Sequence, residues 1–386
     1  MLKNVYPNIA VLIMVKNEEN SIATTINSVH GIINEIVVLD TGSTDKTIEI
    51  IKETCNKNKQ KLFIKETLFR TFPESRNDAI EFAESVVSKT YILLMDAGDE
   101  LEIGFSKGEF IKYLNSIPNI YNYGLVKHKW IINNKIDEHY DVRFIRTTNK
   151  CRYDIRYPVH EQFKNVNIDF INISNAIVLT QNRDKYGMST EKRYKKDIEL
   201  LLNAVGTKRN YYYLAQTYMN IGDFENGYKY NLLAHETKEV SDEILSDNIK
   251  KAILVKLAVC SINSKKEESL IFKYFDEAIN YDKDPPIDAF IFLYKFSIMK
   301  KNYEKAIFYV KDFFDMRKPK DEKNVGSVIN HSFFDYERWN LISIICLLSN
   351  QYLDLGKKAC INAIKNGNNE DDRQNLRVYE YLEKNK

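Results

Sequence analysis

The first hundred residues alternate short apolar segments with amphipathic ones, and polar side chains follow three of the apolar segments. The pattern predicts strands at Ile9–Val15, Glu35–Leu39, Lys61–Lys65 and Tyr91–Met95, with helices at Asn20–Val29, Thr44–Cys55 and Glu74–Val87 between them. Strands separated by helices of about 10 to 15 residues predict parallel βαβ units and a sheet covered on both faces. Ligands of such sheets bind beyond the carboxyl ends of the strands. The polar segments after the first, second and fourth strands should therefore line one crevice.

The segment Ile92–Glu100 reads ILLMDAGDE, an apolar run that stops at two acids separated by Ala97 and Gly98. Carboxylates held close together repel each other, and a divalent cation between them relieves that repulsion. Oxygen ligands favour a hard cation such as Mg²⁺ or Mn²⁺, which keeps positions open for substrate phosphates. The same letters also describe an ordinary turn in which glycine supplies a positive φ.

Bulk composition narrows the function classes and the expected location. The 386 residues carry a formal net charge of +2 without a basic block, so nucleic acid is not an expected partner. The five cysteines are scattered and form no Cys-x-x-Cys pair, which suits a reducing, cytoplasmic compartment. Ile9–Val15 is too short for a signal peptide, and no apolar run reaches the roughly 20 residues of a membrane span. We therefore expect no integral membrane segment.

The pattern changes after about residue 121. Gly124–Ile132, Tyr140–Arg146 and Ile171–Leu179 read as strands that extend the sheet in antiparallel fashion. From Thr190 onward the apolar residues follow the helical period. We expect an α/β domain over residues 1–185 and an all-α domain over residues 186–386.

The helical half shows loose internal repetition. The small and aromatic positions of a tetratricopeptide helix pair match Tyr211, Leu214, Ala215, Tyr218, Gly222, Gly227 and Ala234. Asp288–Phe314 and Trp339–Ile364 give weaker echoes. Stacked helix pairs form extended grooves that bind peptides. The alternative is a plain helical bundle in which this spacing arises by chance.

The order of the polar motifs resembles a known family more than any single motif does. Val15–Glu18 closes the first strand, Asp40–Thr47 follows the second, and Ser75–Asn77 lies near the start of the third helix. Asp96–Asp99 ends the fourth strand, and Pro158–Glu161 comes later. This series is similar to the family 2 glycosyltransferases of the GT-A fold. In particular it looks like the subgroup with a tetratricopeptide-like tail, such as bacteriocin S-glycosyltransferases and uncharacterised relatives in bacteria and large DNA viruses.

The resemblance implies a nucleotide-sugar donor, most simply a UDP-sugar, and direct displacement with inversion at the anomeric carbon. It places Asp40 against the nucleoside, with Asn17 and Glu18 lining the base pocket or merely capping the next helix. Arg76 can fork onto phosphate oxygens, and its alternative is a surface arginine of the helix. Asp96 would contact the donor diphosphate through the metal. The acceptor would be a peptide, protein or glycan presented by the helical tail, which alternatively forms a homodimer.

The resemblance also implies a metal ion and a general base. The family's Asp-x-Asp motif has Gly98 in place of its last acid, so Asp99 is expected to bind Mn²⁺ or Mg²⁺ together with Asp96 and His160. Glu161 would take the acceptor proton, with Asp141 as the rival base.

Gly98 also leaves an alternative interpretation, in which the protein is catalytically degenerate and acts as an interaction module through its tail. A nucleotidyltransferase is disfavoured, because the first strand is not followed by a glycine-rich, basic phosphate loop.

Overall fold

A computed structural model describes residues 7–132, 134–148, 150–164, 170–185, 190–204, 206–238, 245–318, 332–367 and 369–385. The chain divides into two compact units, and the division falls between Arg193 and Tyr194. The expected boundary near residue 186 lies outside the described residues. The assignment of 1–185 and 186–386 to separate domains therefore stays a prediction.

The first unit is built on one mixed sheet. Its described strands are β1 (Ile9–Val15), β2 (Glu35–Asp40), β3 (Lys61–Glu66), β4 (Tyr91–Met95), β5 (Asp99–Ile103), β6 (Tyr123–Ile132), β7 (Lys135–Arg146), β8 (Phe170–Asn172) and β9 (Ile177–Asn182). They lie in the order β3-β2-β1-β4-β7-β6-β9-β5, and β8 pairs with β6. The four strands predicted in the first hundred residues are confirmed as parallel neighbours.

Helices cover both faces of the parallel strands, as the sequence predicts. They are α1 (Ile22–Ser28), α2 (Thr47–Lys57), α3 (Phe72–Val86) and α4 (Lys107–Ser116). Alternate residues of a strand point to opposite faces. Val11 and Ile13 of β1 therefore pack in the core formed with α1, α2 and α4, whereas Leu12 packs in the core formed with α3. Burial on both faces explains why these strands are continuously apolar.

The second half of the sheet departs from the prediction at several points. The segment expected as one strand at Ile171–Leu179 is two strands, β8 and β9, and both run parallel to β6. The antiparallel expectation is right for β6 with β7 and for β7 with β4. Strand β5 and helix α4 were not predicted. Asp99 is the first residue of β5, so it lies inside the sheet.

The second unit is helical, as predicted. Its described α-helices are α5 (Thr190–Leu202, whose first residues belong to the first unit), α6 (Lys208–Asn220), α7 (Phe224–Glu236), α8 (Asp247–Asn263), α9 (Glu268–Ile279), α10 (Ile287–Lys300), α11 (Glu304–Phe308), α12 (Val310–Asp315), α13 (Arg338–Ser349), α14 (Leu353–Gly367) and α15 (Glu370–Lys384). A π-helical turn at Phe333–Glu337 precedes α13. In the described part of the chain, the helices are all too short or too polar to cross a membrane.

Helices α6 and α7 pack closely through small residues. Gly222 lies between them with φ +80°, a conformation that glycine adopts without strain. A Cβ added at Gly227 would approach Met219 Cγ to 2.9 Å and Cys260 Sγ to 3.1 Å. Ala215 and Ala234 are fully buried. These contacts agree with the packing expected of a tetratricopeptide pair, but the repeat assignment itself stays a prediction.

Candidate functional site

The loops after β1 and β2 are tied to each other at the carboxyl edge of the sheet. Asn17 has a left-handed backbone with φ +58°, and its N–H donates to Ser43 Oγ at 2.9 Å. Its side-chain oxygen accepts a hydrogen bond from the Thr44 N–H at 2.7 Å. Asn17 therefore holds the two loops together, which is a structural role and is compatible with a place beside a ligand.

Asp40 is the last residue of β2 and is 3% exposed. Its carboxylate accepts hydrogen bonds from the backbone N–H of Gly42 at 3.2 Å and of Ser43 at 3.1 Å, and also from the Ser43 hydroxyl. A carboxylate has about four lone-pair sites. The turn fixes the orientation of Asp40 and leaves acceptor capacity for a further donor.

Glu18 lies at the start of the loop that leads into α1. Its backbone N–H donates to Thr47 Oγ1 at 2.6 Å, and its carboxylate accepts from Ser21 Oγ at 2.5 Å. Burial raises the pKa of Glu18, although the Ser21 hydroxyl opposes that shift, and the negative charge of Asp96 adds to the rise. Because Ile13 of β1 pairs with Met95 of β4, the first and fourth strand ends come near each other, as predicted.

Asp96 and Asp99 bracket a tight turn after β4. Gly98 has φ +91°, and its N–H donates to Thr25 Oγ1 at 2.8 Å. The same threonine hydroxyl lies 3.3 Å from the Asp96 carbonyl oxygen. The turn that the sequence offered as an alternative is therefore present. It also delivers Asp96 to the strand end, so the turn and a site at this position are compatible.

Two arginines hold the Asp96 carboxylate. Arg76 Nη2 donates to Oδ1 at 3.1 Å, and Arg143 Nη1 donates to Oδ2 at 2.8 Å. Burial alone would raise the pKa of Asp96, but the Arg143 and Arg76 charges outweigh it and hold that pKa well below its usual range. Asp96 is consequently ionised at neutral pH and paired through both oxygens.

Glu161 joins the same network through Arg76, whose Nε donates to Glu161 Oε1 at 2.9 Å. The adjacent His160 is exposed and has a left-handed backbone with φ +55°. Asn77, next to Arg76 on α3, exchanges two hydrogen bonds with the backbone of Tyr153. Arg76 is therefore a part-buried member of a charge network and not a surface arginine, whereas Asn77 fixes the segment that leads to Glu161.

Asp99 points into the sheet and is 0% exposed. Its Oδ2 accepts the Asp96 N–H at 2.8 Å, and its Oδ1 lies 3.1 Å from His128 Nε2. Both oxygens thus have partners that shape the turn. Glu100 is exposed.

A cluster of ring side chains continues from Asp99 across β6 and β7. His128 and His139 are cross-strand neighbours, with ring centroids 5.0 Å apart, and Trp130 lies 4.1 Å from His139. Burial lowers the pKa of His139 to about 4, although the nearby Asp141 opposes that shift. Asp141 Oδ2 lies 3.8 Å from His139 Nε2 and 3.5 Å from Arg143 Nε. The cluster is therefore continuous with the charge network.

The predicted metal ligands do not fit an ion where the structure places them. Both Asp96 oxygens face guanidinium groups, and both Asp99 oxygens are engaged inside the sheet. Among the described residues, Asp96, Asp99 and His160 do not form a three-ligand group, whereas His128, His139 and Asp141 bring one ligand atom each within 4.8 Å of one another. The assignment of Asp96, Asp99 and His160 to a metal stays a prediction that needs these partners to be exchanged.

Sequence reasoning singled out Asp141 and Arg76 but missed the histidines and the role of Arg143. The sequence does contain a signal for His139 and Arg143, because His139, Asp141 and Arg143 alternate along β7 and so share one face. We read Tyr140–Arg146 as a strand without using that alternation. Gln181 lies opposite both Trp130 and Asp99, and its side-chain nitrogen donates to the Ala97 carbonyl at 3.3 Å.

The fold and the site define an α/β domain with ionic side chains gathered at the carboxyl ends of parallel strands. The model of the family described as Glycosyl transferase family 2 matches residues 10–170, somewhat less than half of the chain. Residues 10–170 are therefore similar to family 2 glycosyltransferases, which confirms the resemblance read from the motif order for this part of the chain.

Curated relatives match part of the chain. An uncharacterised glycosyltransferase of Rickettsia conorii is 31% identical over 151 residues, which are 39% of this chain and 49% of that protein. One of Rickettsia felis is 32% identical over 143 residues, which are 37% and 46% of the two chains. This chain spans about half the length of these relatives.

Solved structures overlap more loosely. The crystal structure of S. aureus TarS gives a TM-score of 0.37 at 14% identity and covers 70% of this chain and 55% of that one. The structure of TarS residues 1–349 in complex with UDP-GlcNAc gives 0.34 at 14% identity, covering 79% and 92%. Scores this low carry no conclusion about the ligands of this chain.

Proposed function

We propose that the first unit transfers a glycosyl group from a nucleotide-sugar, most simply a UDP-sugar, to a peptide, protein or glycan acceptor. The observation that carries the proposal is the network of Arg76, Asp96, Arg143 and Glu161 at the carboxyl ends of the parallel strands. It lies within the residues that match the family 2 model.

The donor nucleoside would bind at the linked loops after β1 and β2. Asp40 is held by its own turn and would accept hydrogen bonds from a base N–H or a ribose hydroxyl, with Asn17 and Glu18 at the border of the pocket. Because the loops are already tied through Ser43, binding would order few additional groups.

The donor diphosphate would be held by Arg76 and Arg143. A guanidinium carries five N–H donors in a planar fork that suits phosphate oxygens. In direct displacement, the acceptor oxygen or sulfur attacks the anomeric carbon while the bond to the diphosphate oxygen breaks. The electron pair leaves with the diphosphate, and the two arginines would stabilise the growing negative charge.

The acceptor proton would go to Glu161, with Asp141 as the alternative base. Glu161 is 16% exposed and fixed by Arg76, whereas the Asp141 side chain is 44% exposed and lies nearer the histidines. Attack from the face opposite the leaving group inverts the anomeric configuration. The predicted Mn²⁺ or Mg²⁺ supplies no step in this proposal, because Asp96 and Asp99 are engaged as described above.

The proposal is tested by donor hydrolysis on the full chain across UDP-, GDP- and dTDP-sugars, with Mn²⁺, Mg²⁺ or EDTA. We expect a UDP-sugar to be hydrolysed and UDP to raise the melting temperature, because a ligand that binds only the native state stabilises it. If no donor is hydrolysed and no nucleotide shifts the melting temperature, the glycosyltransferase proposal fails. The interaction-module alternative, in which the helical tail acts alone or forms a homodimer, would then be preferred.

A further inference from the structure

We propose that His128, His139 and Asp141 form a Zn²⁺ site in the first unit, beside the Asp96/Asp99 turn. The three side chains come from the adjacent antiparallel strands β6 and β7. They offer two imidazole nitrogens and one carboxylate oxygen within 4.8 Å of one another. Two imidazoles with a carboxylate suit Zn²⁺ better than Mg²⁺, which prefers oxygen ligands.

His128 is already oriented as a metal-ligating histidine would be. Its Nε2 lies 3.1 Å from Asp99 Oδ1, and a carboxylate accepts the proton in such a pair, so the lone pair is on Nδ1. That Nδ1 is buried and has no hydrogen-bond partner among the described residues. A carboxylate that accepts the proton of one ring nitrogen fixes the histidine tautomer. It also raises the basicity of the other nitrogen, which faces the metal.

His139 gives the second, independent observation. It is 6% exposed, and its Nδ1 is also buried without a partner in the described part of the chain. Leaving a buried polar atom without a partner destabilises the folded protein. The unpartnered nitrogens of these two neighbouring rings are therefore available to a ligand.

The charges around the cluster also favour a cation. Four carboxyl groups belong to the connected network, namely those of Asp96, Asp99, Asp141 and Glu161. Arg76 and Arg143 are the guanidiniums paired with them, and Arg183, which stacks on Trp130 at 3.7 Å, brings a third positive charge nearby. The directly paired groups therefore comprise four carboxyls and two guanidiniums, and Arg183 with its neighbour Arg193 offsets part of that difference.

The ligand atoms of the cluster lie farther apart than they would around a bound ion. Bonds of about 2.0–2.2 Å in tetrahedral geometry place ligand atoms roughly 3.4 Å apart. Asp141 can close this gap, because its side chain is 44% exposed and its partner Arg143 also pairs with Asp96. The exposed side of Asp141 gives the ion an entry path and leaves a coordination position open to solvent.

The test measures metal bound to the full chain. Protein stripped with chelator would be incubated with ZnCl₂ or MgCl₂, passed through a desalting column, and analysed for metal by mass spectrometry. We expect about one Zn²⁺ per chain and no retained Mg²⁺, together with a rise in melting temperature on adding Zn²⁺.

His139→Gln and Asp141→Asn should each lower Zn²⁺ retention at least about tenfold, the loss expected when a ligand or its support is removed. His30→Gln is the matched control, because His30 is exposed on the same unit, and it should retain Zn²⁺ as the wild type does. If His139→Gln does not fold, Asp141→Asn still tests the site, because the Asp141 side chain is partly exposed.

Failure to retain Zn²⁺, or equal retention by the wild type and both site variants, would overturn the site. Zn²⁺ retention does not depend on a donor sugar. Loss of donor hydrolysis would therefore count against the glycosyltransferase proposal without touching the metal result, and the reverse also holds.

Discussion

The carboxyl edge of the sheet and the interior of the helical unit differ in the kind of side chain that they bury. At the edge, Arg76, Asp96 and Arg143 are largely buried charges that neutralise one another. In the helical unit, Phe290 stacks on Phe313 at 4.9 Å, and both are fully buried. Buried ion pairs contribute little net stability, because desolvation offsets their attraction, whereas buried aromatic rings contribute a great deal. We therefore expect activity to depend on the charged residues at the edge of the sheet. We expect the stability of the second unit to depend on its buried aromatic rings.

Removing the helical unit makes the sharpest separation. A chain cut after about residue 190 should hydrolyse donor slowly and lose all glycosylation of its acceptor, because the predicted donor and base residues precede the cut. Circular dichroism must first show that the fragment folds. A folded fragment with full acceptor activity would refute acceptor recruitment by the tail and leave it a dimerising or stabilising role.

Within the helical unit, Phe290→Ala should lower the free energy of unfolding by about 3–5 kcal/mol, since it deletes a fully buried ring. Chemical denaturation followed by circular dichroism measures this loss. Phe308→Ala is the matched control, because that ring is 76% exposed, and it should cost little. Donor hydrolysis by Phe290→Ala under native conditions should stay near the wild-type rate, and a large loss there would mean that the regions are not separable.

At the sheet edge, Arg143→Met should slow donor hydrolysis at least about 100-fold, as expected when a group that stabilises transition-state charge is removed. Asp96 keeps Arg76 as a partner, so the melting temperature should fall only modestly. Arg152→Met is the control, because Arg152 pairs with Glu84 instead. Comparable losses in both variants would show that the rate responds to general destabilisation and not to the network.

Asp99→Asn should reduce donor hydrolysis by about tenfold, more than Glu100→Gln does. Asp99 is buried and supports both the Asp96 N–H and His128, and a buried group that loses a partner costs about 1–3 kcal/mol. Glu100 is exposed. Initial rates measured across a range of Mn²⁺ concentrations would distinguish a role of Asp99 in the turn from a role in binding the metal. Equal small losses in the two variants would remove Asp99 from the site.

The smallest expected effect concerns a buried cation of the helical unit. Burial lowers the pKa of Lys256 to about 8, below its value of about 10.5 in the unfolded chain. The unfolded chain therefore binds more protons between these values, so stability rises with pH across that window, and the penalty is complete below about pH 8.

Lys256→Met should consequently stabilise the protein by about 1 kcal/mol more at pH 7 than at pH 9. Part of the gain is offset, because the lysine lies 4.0 Å from the Tyr212 ring centroid and donates to Gln216. Lys273→Met, at a side chain that is 63% exposed, serves as control. A pH-independent difference between Lys256→Met and the wild type would contradict the lowered pKa.

The parallel half of the sheet could be predicted, because each strand is a continuous apolar run bounded by helices. The bounds of β1 and β4 agree with the prediction to the residue. The short strands β5 and β8 could not be found in the same way. Their pattern is mixed and exposed on one side, and their pairing partners are distant in sequence.

The site shows the same division. Arg76, Asp96 and Glu161 were selected from the motif order, and the structure joins them. The orientation of Asp99 was not readable, because a register position in β5 decides whether its carboxylate faces solvent or His128. His128 and His139 belong to neighbouring strands of a hairpin, and only the pairing of β6 with β7 brings them together.

The chain has two tryptophans, and each unit contains one of them. Trp130 lies against His139 and Arg183, whereas Trp339 lies against Arg338 and Phe314. Replacing one or the other with phenylalanine would give two single-tryptophan proteins whose fluorescence reports on one unit at a time. Emission from Trp130 would follow events at the histidine cluster, and emission from Trp339 would follow loosening of the helices, in the same cuvette and without an added dye.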